Sequence, residues 1–270
     1  MTDALTAHQI ADLESFAVDL ARIAGRVILP LFRADHGLDD KGLTSGRGFD
    51  PVTEADRGAE AAIRLAISAR FPEHGVIGEE YGEDRPDAEF VWVLDPVDGT
   101  RAFISGLPLW TTLIGLRHRG QTVVGVIAQP FLDEYFVGTN NRARLLSAGS
   151  EHILQTRPCA GLDTALIATT DPYLFRDSDR AAWERLHASV RLARFGADAY
   201  AYAMVAMGKL DLVVETGLKS WDIEAAIPLL AGAGGVTANW RGDPVGHHGG
   251  QLLIVGDRSI LKQASALLVG

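Results

Sequence analysis

Phe90-Val91-Trp92-Val93-Leu94-Asp95-Pro96-Val97-Asp98-Gly99-Thr100 decides how the rest of this chain is read. Five uncharged, mostly β-favouring residues run directly into two carboxylates, a glycine and a hydroxyl. An apolar run of that length, bounded by Pro and Gly, predicts a strand buried on both faces. Pro96 has no N–H for a sheet ladder, so the strand is expected to stop there, with Asp95 at its exit and Asp98 folded back beside it. Two carboxylates at short range repel unless a cation lies between them. Hard oxygen donors of this kind suit Mg²⁺ or Mn²⁺. Gly99 lets a backbone approach a ligand closely, and a helix opening here would aim its free N–H groups at an anion. A carboxylate pair beside an anion cradle is the equipment of metal-assisted phosphate-ester hydrolysis. Asp98-Gly99 alone is an ordinary turn dipeptide; the chemistry is carried by the whole string.

Around this string, the 270 residues are 47% hydrophobic and 22% charged, enough for a large core in one big domain or two small ones. A formal net charge of −10 argues against nucleic acid or an anionic membrane as a main partner. It would also repel a phosphate ester, so substrate binding should require cations that reverse the local sign. The single cysteine, Cys159, excludes an internal disulfide and a cysteine-based zinc site. Asp3, Asp12, Glu14 and Asp19 stand where a signal peptide would need a basic start and an apolar core, and no apolar run approaches the ~20 residues of a membrane span. A cytoplasmic protein is expected.

Before the central strand, Thr6-Ala7-His8-Gln9 reads as a capping box opening a helix whose apolar face runs from Ile10 to Leu31. A polar, glycine-rich loop comes next, between Gly37 and Gly48. A second helix is predicted over Glu54 to Arg70 with Thr53 as its N-cap, then a short strand at Gly75-Val76-Ile77-Gly78 ending in Glu79-Glu80. After the central strand, Trp110–Leu116, Gln121–Gln129, Glu134–Val137 and Arg142–Leu146 form an antiparallel meander. From Ser147 the expected order is strand, helix, helix, strand, helix, strand, strand, helix, a layered α/β pattern. The division falls between 1–147 and 148–270, two tightly packed halves. Pro228 predicts a kink or a short first turn in the helix that begins at Asp222.

Three further acids bear on the chemistry. Glu79 ends a strand sixteen residues before Asp95, Asp56 is the third residue of the second helix, and Asp222 opens the penultimate one. Asp56 could simply close the capping motif of Thr53, and Asp222 could simply serve a helix N-terminus. The strings Asp50-Pro51-Val52-Thr53-Glu54-Ala55-Asp56, Gly78-Glu79-Glu80, Asp95-Pro96-Val97-Asp98-Gly99-Thr100 and Trp221-Asp222 together resemble the signatures of the inositol-monophosphatase-like family, in its order and spacing. The resemblance implies an α/β (layered α+β) αβαβα sandwich, with helices on an antiparallel sheet in the N-terminal half and an α/β C-terminal half. It also implies a Mg²⁺-dependent, lithium-sensitive phosphomonoesterase, usually a homodimer, with two or three Mg²⁺ per site and Mn²⁺ as a substitute. By position, Glu79, Asp95 and the Val97 carbonyl would hold one metal, and Asp95, Asp98 and Asp222 the second. Asp56 would orient the attacking water with Thr100 and lend an oxygen to a third metal. Glu79, Thr100 and Asp56 are thus the catalytic candidates, and Gly99 and Thr100 the phosphate-binding ones. The family's Lys-Ser pair is not kept: the loop reads Lys41-Gly42-Leu43-Thr44-Ser45-Gly46.

Within the family, Asp98–Trp110 and Arg194–Tyr202 look most like the histidinol-phosphate phosphatase branch. That substrate carries an ammonium and an imidazole, so its far end calls for acidic partners; Asp198 and Glu215 are the candidates, with Arg101 as a further substrate contact. Inositol monophosphate or another small phosphate ester is the rival on the same scaffold. A regulatory protein associated with RNA or RNA polymerase is the rival of another class, which the acidic balance disfavours for direct RNA contact. The haloacid-dehalogenase type is excluded, because Pro96 stands where its motif requires Asp. Trp92, Phe103 and Trp110 are expected in the core, and His247-His248 in a solvated turn rather than on a metal.

Overall fold

A computed structural model of the chain describes residues 5–34, 39–40 and 51–270, with backbone alone for 39–40 and 51–52. Helix α1 (Ala7–Ile28) opens on the expected capping box: Gln9 N–H donates to the Thr6 hydroxyl, and Thr6 N–H to the Gln9 side chain. A two-stranded ribbon, β1 (Asp39–Asp40) with β2 (Pro51–Val52), leads to α2 (Glu54–Arg70), capped by Thr53. Then come β3 (Gly75–Gly78), β4 (Gly82–Asp84), β5 (Phe90–Asp98), α3 (Thr100–Ile104), β6 (Thr111–His118), β7 (Gln121–Gln129), β8 (Glu134–Thr139), β9 (Arg142–Ser147) and β10 (Ser150–Ile153). The remainder runs β11 (Leu166–Thr169), α4 (Asp177–His187), β12 (Leu192–Phe195), α5 (Tyr200–Ala206), β13 (Leu212–Leu218), α6 (Ser220–Ile223), α7 (Ala226–Ala233), β14 (Val236–Ala238), β15 (Gly250–Val255) and α8 (Arg258–Val269).

The layers alternate because each sheet is apolar on both faces. The eight-stranded sheet has order β10-β9-β8-β7-β6-β5-β3-β4, antiparallel except where β3 lies parallel to β5. One face packs on α1 and α2, with Trp92, Phe103, Trp110 and Ile63 in that core. The other face, through Leu113, Ile127 and Phe136, meets α5, α6 and α7, which also cover the second sheet through Val213, Leu252 and Ile254. That second sheet, order β12-β11-β13-β15-β14, is closed on its far side by α4 and α8. The result is helix, sheet, helix, sheet, helix. The middle core is shared by both halves of the chain.

Three departures from the sequence reading have local causes. β5 does not stop at Pro96; it continues to Asp98 through a bulge, where the missing N–H is tolerated. The first sheet extends past residue 147, because Ser150–Ile153 pairs back on β9. β12 was not expected between α4 and α5; it is a half-exposed edge strand with no apolar alternation to announce it. Pro228 acts as anticipated: α6 is a single short turn, and α7 starts afresh at Ala226.

The middle layer is seated on glycines. Gly115, Gly125 and Gly138 lie side by side across β6, β7 and β8. A Cβ at Gly125 would overlap the Ala225 carbonyl oxygen, and one at Gly138 the backbone of Leu229. The helical segment after Asp222 therefore rests almost backbone to backbone on the large sheet.

Candidate active site

Asp95 and Asp98 are three residues apart, and in a regular strand they would point to opposite faces. The β5 bulge removes that problem. Asp95 pairs with Leu113 and Asp98 with Thr111, so three steps on β5 match two on β6. Leu113 and Thr111 share a face, and their partners therefore share it too. Val91 and Val93 occupy the same face earlier on β5, packed against Trp221. That contact sets α6 directly over the bulge, with Asp222 in its only turn. Oxygens of Asp95, Asp98 and Asp222 all lie within 4.8 Å of one another.

Glu79 arrives by a different route. Its N–H donates to the Leu94 carbonyl at 3.2 Å, which sets it next to Asp95 on the neighbouring parallel strand. Buried Glu60 of α2 fixes the turn by accepting from Glu80 N–H (2.8 Å) and Tyr81 N–H (3.2 Å). Asp56 closes a capping box, with one carboxylate oxygen accepting from Thr53 N–H (2.8 Å) and the Thr53 hydroxyl. The capping role is thus present, and Asp56 also adds its charge to the field at Asp95. Gly99, at φ 81°, is the N-cap of α3, and the Thr100 hydroxyl donates to the Val97 carbonyl at 3.1 Å. The Gly99 carbonyl accepts from Ala102 and Phe103, which leaves the first turn's leading N–H groups at the cavity.

The cavity, about 290 Å³, is lined by Glu79, Asp98, Asp222, Gly99, Thr100 and Arg101 together with Thr170, Asp198, Tyr202 and Glu215, and Asp198 stands directly beside Gly99. Asp95, Val97 and Asp56 are buried and do not line it. Glu215 also starts a bulge: it pairs with Leu252, and Leu218 with Gly250. Its carboxylate accepts from Thr170 N–H (2.7 Å) and from the hydroxyls of Thr169 and Thr170 (3.1 Å each). Asp98 is fixed by Ala199 N–H (2.7 Å) and the Thr111 hydroxyl (3.2 Å). Lys41 and Asp50 lie outside the described residues.

The electrostatics are those of a buried acidic site. Burial, followed by the charges of Glu79, Asp98, Asp222 and Asp56, drives the Asp95 pKa well above the carboxylate range. Burial and the charges of Asp198 and Asp222 do the same to Asp98. Burial raises Asp198 and Asp222 to about 6 and Glu215 to about 8. Buried, converging, hard oxygen donors that resist ionisation on their own fit a small divalent cation. Sequence reasoning missed Thr111, Thr170, Ala199 N–H and Tyr202. The Thr111-Thr112 and Thr169-Thr170 doublets mark hydroxyl donors in the sequence but not the carboxylates they hold.

A profile of the inositol monophosphatase family matches residues 9–268. The chain belongs to that family. It is 40% identical over 236 residues to the bifunctional phosphatase IMPL2, chloroplastic, of Arabidopsis thaliana, covering 86% of this chain and 66% of that protein, just under two thirds of its length. It is 33% identical over 226 residues to the histidinol-phosphatase of Chlorobaculum parvum, covering 84% and 85% of the two chains. Its fold superposes on an inositol monophosphatase from Zymomonas mobilis with a TM-score of 0.85 and 36% identity, over 98% of this chain and 100% of that one. This member of the inositol monophosphatase family is accordingly a phosphatase with the αβαβα fold. Among the described residues no helix is long and apolar enough to cross a membrane.

Proposed function

We propose that this inositol monophosphatase family member hydrolyses L-histidinol phosphate to L-histidinol and phosphate, with Mg²⁺ as its resident metal. The observation that supports this substrate is an acidic wall beside Gly99 and Thr100, where two carboxylates, half-buried Asp198 and buried Glu215, line the same cavity. A polyol ring offers such a wall only neutral hydroxyls. An ammonium or imidazolium offers the positive charge that two desolvated carboxylates need.

In this reading Glu79, Asp95 and the Val97 carbonyl would hold one metal, and Asp95, Asp98 and Asp222 the other. Such ions would make a nucleophilic water available near neutral pH and neutralise charge on the departing alkoxide. The chain's own residues do the rest. N–H groups of Gly99 and Thr100 hold phosphoryl oxygens as negative charge redistributes on them. Thr100 and Asp56, the latter locked to Thr53, orient the attacking water. Ala199 N–H and the Thr111 hydroxyl keep Asp98 from rotating away. Asp198 and Glu215 fix the amino alcohol end, and Arg101, at the rim, takes the exposed side of the ester.

The test is kcat/KM for histidinol phosphate against inositol 1-phosphate, on metal-stripped protein with Mg²⁺ restored. A preference of ~10³, about 4 kcal/mol of transition-state discrimination, is the expected result. Equal, slow rates on both would retain the phosphatase and remove the substrate. Absence of Mg²⁺-dependent hydrolysis of any simple phosphomonoester would bring a regulatory role forward.

A further inference from the structure

Four consecutive residues in and just after the short helix α6 point to four different places. Trp221 packs on Ile77, Val91 and Val93 of the large sheet. Asp222 faces Asp95 and Asp98. Ile223 is fully buried in the middle core. Glu224 turns away from the cavity into a pocket of donors. Its carboxylate accepts from both sides of the Arg117 guanidinium (Nε at 2.7 and 3.0 Å, and an Nη as well), from the Thr122 hydroxyl at 3.2 Å and from His247 Nδ1 at 3.1 Å. The second ring nitrogen of His247 meets the Gly120 carbonyl. Both partners of His247 are acceptors, so the pocket favours the doubly protonated ring, and the Glu224 carboxylate raises the His247 pKa above its ordinary value. The turn expected at His247-His248 is present, with His248 exposed, and His247 is in addition anchored to Glu224 and the Gly120 carbonyl. Glu224 is 1% exposed.

Glu224, Arg117, Thr122 and His247 all stand clear of the cavity lining, and a buried ion pair is a poor way to add stability compared with apolar residues of the same volume. What such a pair does supply is a single register. A one-turn helix cannot hold its own orientation, and α6 is cut off from α7 by Pro228. A rotation by one residue, about 100°, would carry Asp222 off the Asp95–Asp98 face. Gly115 leaves 3.1 Å between a would-be Cβ and the Glu224 Cβ, so the anchor sits hard against β6. The Arg117, Gly120 and Thr122 partners all belong to the β6–β7 hairpin, whose strand β6 also pairs with the bulge that presents Asp95 and Asp98. Anchor and metal-facing carboxylates are thus referenced to the same strand.

We propose that Glu224, held by Arg117 and His247, is a positioning residue for Asp222 and through it sets the affinity of the site for a divalent cation. The inference rests on the metal-dependent reading of the site. Its test is direct Mn²⁺ binding to the full chain, monitored by the electron paramagnetic resonance of free Mn²⁺, so that turnover does not enter. Glu224→Gln is expected to raise the Mn²⁺ dissociation constant about 10- to 100-fold, the range typical of groups that orient a metal ligand. In the Asp222→Asn background the same change should add little, because the residue it orients is already lost. His247→Gln removes one donor and leaves the Arg117 pair intact; it is expected to weaken Mn²⁺ binding less but measurably, and it decides the matter if Glu224→Gln does not fold. Mn²⁺ affinity within about two-fold of the parent in the folded variants, or full additivity with Asp222→Asn, would overturn the proposal and leave the metal site standing. A parent chain that takes up no Mn²⁺ would instead overturn the metal reading itself.

Discussion

Asp95 carries the field of four other carboxylates in a place that water barely reaches. Removing its charge should therefore have two opposite effects. Asp95→Asn is expected to cut Mg²⁺-dependent turnover by about 10²–10³, on the scale of losing one preorganised electrostatic partner. The same change removes a carboxyl whose ionised form is disfavoured by burial and then by its acidic neighbours, so the metal-free variant should melt higher than the metal-free parent. Undiminished turnover would remove Asp95 from the metal set. The pH dependence has its origin in the same field. Asp198 and Asp222 titrate near 6 rather than 3.8, and Glu215 near 8 rather than 4.5. The folded, metal-free chain thus binds more protons than the unfolded chain between about pH 4 and pH 8, and the stability tied to these groups is lost as pH rises through that window. Thermal melts of metal-free protein should fall from pH 5 to 8, and Glu215→Gln should flatten the upper part of the slope. An unchanged slope in that variant would show that Glu215 is not among the groups responsible.

At the scale of elements, the decisive features are the two bulges and the glycine trough. Each bulge begins at a carboxylate, Asp95 in one sheet and Glu215 in the other, and each turns the end of its strand toward the cavity between them. The trough brings the α6–α7 segment down on the large sheet. Gly125→Ala should cost about 1–3 kcal/mol by overpacking, since its new methyl meets the Ala225 carbonyl and no flexible side chain can yield. Gly246→Ala is the control: nothing lies within 4 Å of its Cβ, and its effect should stay within about 0.5 kcal/mol or be slightly stabilising. Urea melts of the two variants distinguish them. Equal stabilities would mean that the helix can lift from the sheet without penalty.

The whole molecule carries a net charge of −10 and holds a buried acidic centre, so metal and fold should be strongly linked. A cation that binds only the folded chain adds about 2.7 kcal/mol at a hundred times its dissociation constant. For a chain of this size that corresponds to a rise in Tm of about 5–10 °C. Saturating Mg²⁺ should produce that rise, a chelator should reverse it, and Asp95→Asn should abolish it. A Tm indifferent to Mg²⁺ in the parent would argue that the carboxylate cluster does not take the ion up.

The sequence by itself determined what is local. Thr6 with Gln9 and Thr53 with Asp56 announce their helices because a capping box closes within four residues. The β6–β9 meander is legible in short apolar runs separated by turn residues, and the family is legible in four strings whose chemistry survives without coordinates. Tertiary structure decided what depends on register. No local signal says that a bulge brings Asp95 and Asp98 to one face, that Thr111 and Ala199 hold Asp98, or that Thr169 and Thr170 cradle Glu215 across two strands. Nor does any pattern near residue 247 reveal a carboxylate at Glu224, 23 residues away in sequence and 3.1 Å away in space. Cross-strand pairing and helix seating are fixed by packing between distant segments, and that information is spread over the whole chain.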